Sequence, residues 1–156
     1  MCAMQTVSSE PQAPAITNSY AIQKERYGEA MKIYIEANDP DGDMLRIATV
    51  VEHTGYGRYP VDWVYLKPEQ GGHVLGYLQW NTFSSKTARI REWTQVTLKV
   101  SVFDRAGNES NVVVFPLEFV SEVIPHPPLP FPFNQGDIPR LGHVNVDLLE
   151  TWPDGP

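Results

Sequence analysis

Four stretches of the chain alternate apolar and polar residues with a period of two. Val96, Leu98, Val100 and Val102 interleave with Thr97, Lys99 and Ser101, and Met31, Ile33, Ile35 and Ala37 interleave with Lys32, Tyr34 and Glu36. Leu45, Ile47, Thr49 and Val51 stand against Arg46 and Glu52, and Val113, Phe115, Leu117 and Phe119 make a fourth set. Successive side chains of a strand point to opposite faces, so each set predicts one buried face. Weaker strands are predicted over residues 15–22, 61–66 and 74–80. Together they give about seven strands separated by turn-rich stretches, the pattern of a two-sheet antiparallel sandwich. Pro116 has no amide to donate, so its strand is expected at a sheet edge or a bulge. No stretch sustains a helical period, although residues 84–91 have room for one turn.

Proline divides the chain unevenly: eight of its 14 prolines fall in the last 32 residues. The boundary is therefore placed after Ser121, giving a leader over residues 1–13, a β-domain over 14–121 and a Pro-rich arm over 122–156. The arm holds −4 of the chain's net charge of −7, yet it is not polar. Pro127, Pro128, Leu129, Pro130, Phe131, Pro132 and Phe133 must run extended, because each proline fixes φ and disfavours helix in the residue before it. Leu129, Phe131, Phe133, Ile138, Leu141, Val144, Val146, Leu148, Leu149 and Trp152 are more apolar groups than a solvated linker carries. They call for a surface. The preferred reading gives them a neighbouring copy or a partner that reads the proline-rich stretch; the flank of the same domain is the alternative.

Two turns are more specific than the strands. Asn38-Asp39-Pro40-Asp41-Gly42-Asp43 lies between two strands, and Asp104-Arg105-Ala106-Gly107-Asn108-Glu109-Ser110 joins the two best ones. With Gln79-Trp80-Asn81-Thr82, these segments resemble bacterial immunoglobulin-like domains of the cadherin-like and PKD-like kind. The resemblance covers roughly residues 14–121. It implies an extracellular or cell-envelope setting, or a virion or particle surface, and roles in adhesion, spacing or assembly. The turns also have a purely local explanation: Gly42 and Gly107 supply positive φ, and the Asp and Asn side chains bond nearby amides.

The sharpest candidate chemistry is calcium. Asp39, Asp41 and Asp43 alternate in a glycine-containing loop and can turn hard oxygen ligands toward one ion. In a sandwich the last hairpin shares that end, so Asp104 and Asn108 are expected to add oxygens. The alternative is that the aspartates only cap a solvated turn. Seven aromatic residues fall between Tyr56 and Phe83, and of these Tyr56, Tyr59 and Trp63 are candidates for stacking a sugar, against the plainer role of packing on the sheet.

Catalytic machinery is thin. There is no G-x-S-x-G elbow, no H-E-x-x-H and no phosphate-cradling loop, and His53, His73, His126 and His143 share no metal-ligand spacing. The acidic balance argues against nucleic acid as the main partner, and no apolar run approaches the roughly 20 residues of a membrane helix. The lone Cys2 excludes an internal disulfide. If Cys2 heads a mature lipoprotein it would carry a lipid anchor. The sequence thus predicts a non-enzymatic binding or assembly module whose arm docks on a neighbouring subunit, with a calcium-stabilised adhesion or carbohydrate-binding domain as the alternative.

Overall fold

The computed structural model describes residues 12–82 and 94–148. The residues predicted to hold one helical turn fall outside them, as do Cys2, Phe83 and Trp152. Among the described residues ten strands run in chain order: β1 Ala15–Ala21, β2 Lys24–Arg26, β3 Ala30–Asn38, β4 Met44–His53, β5 Gly57–Arg58, β6 Asp62–Tyr65, β7 His73–Asn81, β8 Thr94–Asp104, β9 Val113–Val120 and β10 Arg140–Val144. A 3₁₀ turn, Pro68–Gln70, precedes β7. One sheet, here sheet A, has the order β1-β3-β7-β10; the other, sheet B, has the order β2-β9-β8-β4-β5, with β6 also paired to β4. The fold is an all-β immunoglobulin-like sandwich.

The strongly alternating segments form its centre. Ile33, Ile35, Leu78 and Trp80 of sheet A meet Ile47, Val51, Leu98, Val100, Val102 and Phe119 of sheet B, all fully buried. Trp80 and Phe119 close the contact edge to face, with centroids 6.2 Å apart. Each such side chain contributes about 1.5–3 kcal/mol by leaving water, which is why these four segments dictate the fold. One predicted inward position shifts: the register slips between Met44 and Arg46. Met44 therefore enters the core, and Leu45 is left half-buried.

Pro116 lies where the sheet can tolerate it. Glu118 donates its amide to Gln23 O at 2.8 Å, on the side where β2 joins β9. Two residues earlier the same side is open, because β2 pairs only with residues 118–120.

Two expectations are corrected. The sheets are not strictly antiparallel, since β10 pairs parallel with β7 and β2 parallel with β9. Nor does the sandwich end at Ser121: the arm returns, adds β10 to sheet A, and buries Phe133, Val144, Val146 and Leu148. The physical reason is visible in β7 and β6. A Cβ on Gly76 would stand 2.5 Å from Leu141 Cγ, and one on Gly142 would collide with Val64, so two glycines make the seat for the returning strand. Trp80 Nε1 then donates to Val146 O at 2.8 Å, giving the buried indole N–H the acceptor it needs. Phe133, Val144, Val146 and Leu148 of the arm find their surface on their own domain.

Candidate functional site

Three regions carry the predicted site residues. The first is the end of the sandwich where the β3–β4 and β8–β9 connections meet. Asp39 is buried and organises its loop, accepting the Asp41 amide on Oδ1 at 3.1 Å and the Asp43 amide on Oδ2 at 3.2 Å. Gly42 completes the turn at φ +71°, which a side chain would resist. Arg105 donates its amide to Asp43 O at 3.0 Å, so the two connections are in direct contact. One oxygen from each of Asp39, Asp41 and Asp43 lies within 4.8 Å of the others.

The charge in this corner is not fully compensated. Asp43 Oδ1 is buried and has no hydrogen-bond partner. The Asp43 carboxyl is pushed up from the ordinary carboxylate range, first by its hydrogen bond with the Asp39 carboxyl, then by burial and by the charges of Asp104, Asp39 and Asp41. Asp104 is buried too, but both its oxygens are engaged: the Asn108 amide donates to Oδ1 at 2.8 Å and Asn108 Nδ2 to Oδ2 at 2.9 Å. Asp104 and Asn108 therefore serve each other first; both Asp39 oxygens are likewise engaged by backbone amides and Asp41 Oδ2 accepts the Gln12 amide at 2.7 Å, so the buried oxygen left without a partner is Asp43 Oδ1.

The second region is the outer face of sheet A. Tyr20, Tyr34 and Tyr77 are cross-strand neighbours in one row, with ring centroids 6.4 and 5.6 Å apart. Phe133 sits over Tyr34 at 5.4 Å and is itself only 2% exposed. Tyr34 points outward from its strand yet is buried, because the arm covers it. Its hydroxyl is pushed up by that burial, and further by Tyr77 and Tyr20.

The covering segment, residues 125–133, is a strap held at both ends. His126 Nε2 lies 2.6 Å from Glu25 Oε2, and the Arg26 amide donates to Glu25 Oε1 at 2.9 Å, so the buried Glu25 has a partner on each oxygen. Residues 125–130 run without a turn, as a proline-rich chain repeating about every three residues does, but the extended run expected through Phe133 is corrected: at Phe131 the chain turns, the Phe131–Pro132 bond is cis, and Phe133 donates its amide to Pro130 O at 2.8 Å. One ridge, His126 and Leu129, faces the domain: Leu129 is half-buried beside Tyr20, Ile22 and Tyr34, and Pro132, in the turn, is buried. A second ridge, Pro125 and Pro128, faces solvent, with Phe131 at the turn 73% exposed. Of the predicted arm contacts, Phe133 is thus spent on this domain, Leu129 partly so, and Pro127, Pro128, Pro130 and Phe131 remain accessible.

The third region is the outer face of sheet B and the loop beside it. His53, Tyr56 and Tyr59 stack with nearly parallel planes, 11–25° apart, and His53 Nδ1 lies 3.2 Å from Tyr59 hydroxyl oxygen. Burial pulls the His53 imidazole below its usual range. Tyr56 and Tyr59 therefore spend ring faces on one another. Trp63 belongs to a different surface, β6, where the Arg46 guanidinium lies 3.7 Å above its ring and Phe103 meets it edge on at 5.3 Å. The three aromatics do not form one platform.

No family model matches this chain, and no curated protein does. Among solved structures it is similar to the PKD domain of an M14-like peptidase from a Thermoplasmatales archaeon, at 15% identity and a TM-score of 0.44, covering 71% of this chain and 99% of that one. It is also similar to the CARDB domain of a Pyrococcus furiosus protein in complex with di-metal ions, at 12% identity and a TM-score of 0.37, covering 72% of this chain and 96% of that one. The immunoglobulin-like sandwich itself is read from the chain's own two sheets.

Proposed function

We propose that this chain is a non-catalytic assembly module of a cell surface, envelope or particle, and that it presents its strap to a neighbouring subunit. The observation that supports the reading is the division of the strap into ridges. One ridge is pinned to sheet A, and the other exposes Pro125 and Pro128, with Phe131 exposed at the turn that follows, a turn closed by the Phe133 amide on Pro130 O. A partner that binds such a ridge has little ordering entropy to overcome. The test is solution mass of the full chain by sedimentation across concentration, for the wild type and for Phe131→Ala. An associating wild type that Phe131→Ala returns to monomer supports the reading; a monomeric wild type, or association indifferent to Phe131, overturns it.

A second reading rests on Asp43 Oδ1, the buried carboxylate oxygen without a partner. We propose that a calcium ion bound by Asp39, Asp41 and Asp43 stiffens this end of the module, in keeping with an adhesion role. A ligand bound only by the folded state stabilises it by about 2.7 kcal/mol at a concentration 100 times its Kd. The unfolding midpoint of the full chain is expected to rise in calcium over chelator, and to lose that response in Asp43→Asn. A midpoint unchanged by calcium removes the site.

A further inference from the structure

Strap and sheet A do not touch along their whole length. Between them lies a cavity of about 230 Å³, lined by Tyr20, Lys32 and Tyr34 from the sheet and by His126 and Leu129 from the strap. Ile22 and Glu25, where the chain crosses from β1 into β2, complete the lining that matters here. The site is mostly apolar and aromatic with a few polar groups converging on it, the usual composition of a small-molecule pocket.

Those polar groups are unequally committed. Glu25 has a partner on each oxygen, His126 on one and the Arg26 amide on the other, so its charge is met within the protein. Lys32 is different: among the described residues it has no carboxylate partner. Its ammonium lies 4.8 Å from the centroid of the Tyr77 ring, a contact that leaves N–H groups free to meet an anion. Tyr34 stands two residues along the same strand and so on the same face as Lys32. It is only 8% exposed, yet among the described residues its hydroxyl has no hydrogen-bond partner. Burial pushes that hydroxyl up, so it stays protonated and able to donate at neutral pH. A buried hydroxyl left without a partner costs free energy that a ligand oxygen can restore.

Size and access narrow the ligand. A cavity of about 150 Å³ is enough for benzene, so this one takes a single ring or a short alkyl chain with one polar head. The strap is anchored on both sides of the cavity, by His126 on Glu25 and by Phe133 over Tyr34, which leaves no path for a macromolecule to thread. We propose that the cavity beneath the strap binds a small carboxylic acid, aromatic or short-chain, whose carboxylate meets Lys32 and the Tyr34 hydroxyl while its body packs against Ile22 and Leu129. A ligand seated there touches sheet and strap together and so tightens the strap on its domain.

The test is a titration of the full chain with benzoate and with hexanoate, followed by NMR of the Ile22 and Leu129 methyl groups, with benzamide as a neutral probe of benzoate's shape. At least one acid is expected to shift both methyls in a saturable way. Lys32→Gln, a change on an exposed stem, is expected to weaken that acid by about tenfold or more, the worth of one charged hydrogen bond, and to leave benzamide unchanged. Methyls that neither acid shifts, or that shift without saturating, overturn the site. Benzamide binding as well as benzoate, or acid binding indifferent to Lys32→Gln, overturns the carboxylate assignment and the proposal with it. None of these readings depends on association between chains, so the strap-docking reading stands or falls separately.

Discussion

The outer faces of sheets A and B are both apolar and aromatic, yet only one is covered by the chain that made it. Over sheet A, the strap turns Tyr34 from an outward residue into a buried one and seats Phe133 beside it. Over sheet B, Trp63 has only Arg46 above it, and Val112 and Val114 stay open. An arm that looks like a ligand for something else is thus half structural. Its inward ridge completes the domain, and what remains for a partner is the ridge that the domain leaves over.

Removing the arm should break this comparison most severely. A chain ending at Ser121 loses β10 and the burial of Phe133, Val144, Val146 and Leu148, at about 1.5–3 kcal/mol each, and leaves Trp80 Nε1 without its carbonyl. That loss rivals the 5–15 kcal/mol by which a whole domain is typically stable. The truncated chain is expected to show no cooperative unfolding transition in denaturant, whereas a free arm would leave the transition intact.

Single substitutions then separate the two faces. Phe133→Ala is expected to cost about 3–5 kcal/mol, the usual penalty for emptying a buried aromatic site. Trp63→Ala, on the uncovered face, is expected to cost less, about 1–2 kcal/mol, since it loses a cation–π contact with Arg46 and an edge-to-face pair with Phe103. Equal losses in urea unfolding would contradict the difference in cover. An effect smaller than that of Phe133→Ala is expected at the strap's other anchor. His126→Ala leaves Glu25 Oε2 buried without a partner, at a cost of about 1–3 kcal/mol.

The smallest expected effect concerns a part of sheet A near the acidic corner. Glu36 is held below the usual carboxylate range, chiefly by its hydrogen bond with His73, and also by those from Asn18 and Thr17. A carboxyl depressed in the folded state contributes stability that is complete above its unfolded value, about 4.5, and is lost as pH falls through the folded value. The contribution is of order a few tenths of a kcal/mol for so accessible a pair. Acid titration of unfolding should show this loss in the wild type and not in Glu36→Gln.

Much of the fold was legible because four segments repeat with period two and little else competes for them. β3, β4, β8 and β9 are all there, as is the edge position of Pro116. The turn aspartates were legible as a cluster, because alternate acids around Gly42 leave few other geometries. The short strands β2 and β5 carry too few residues for any period to show. The end of β10 and the segment after it did leave a trace: Val144, Val146 and Leu148 alternate with Asn145 and Asp147. Gly76, a glycine inside an otherwise strong strand, marked the place where another backbone approaches closely. Proline rigidity predicts that the strap is extended but not which surface it crosses. That choice depends on Glu25 and Tyr34, each about a hundred residues away in the chain.

The central claim is that the arm is built into its own domain. Hydrogen exchange of the full chain, at a concentration where it is monomeric, tests this most directly. β10 pairs with β7 along residues 140–144, and Tyr77 donates to Pro139 O at 3.0 Å. The amides of β10 that point at β7, every other one along this edge strand, and the amide of Tyr77 should therefore exchange as slowly as those in the centre of β7. Exchange of residues 140–144 at open-chain rates in the monomer would contradict it, and would return the arm to a neighbouring molecule.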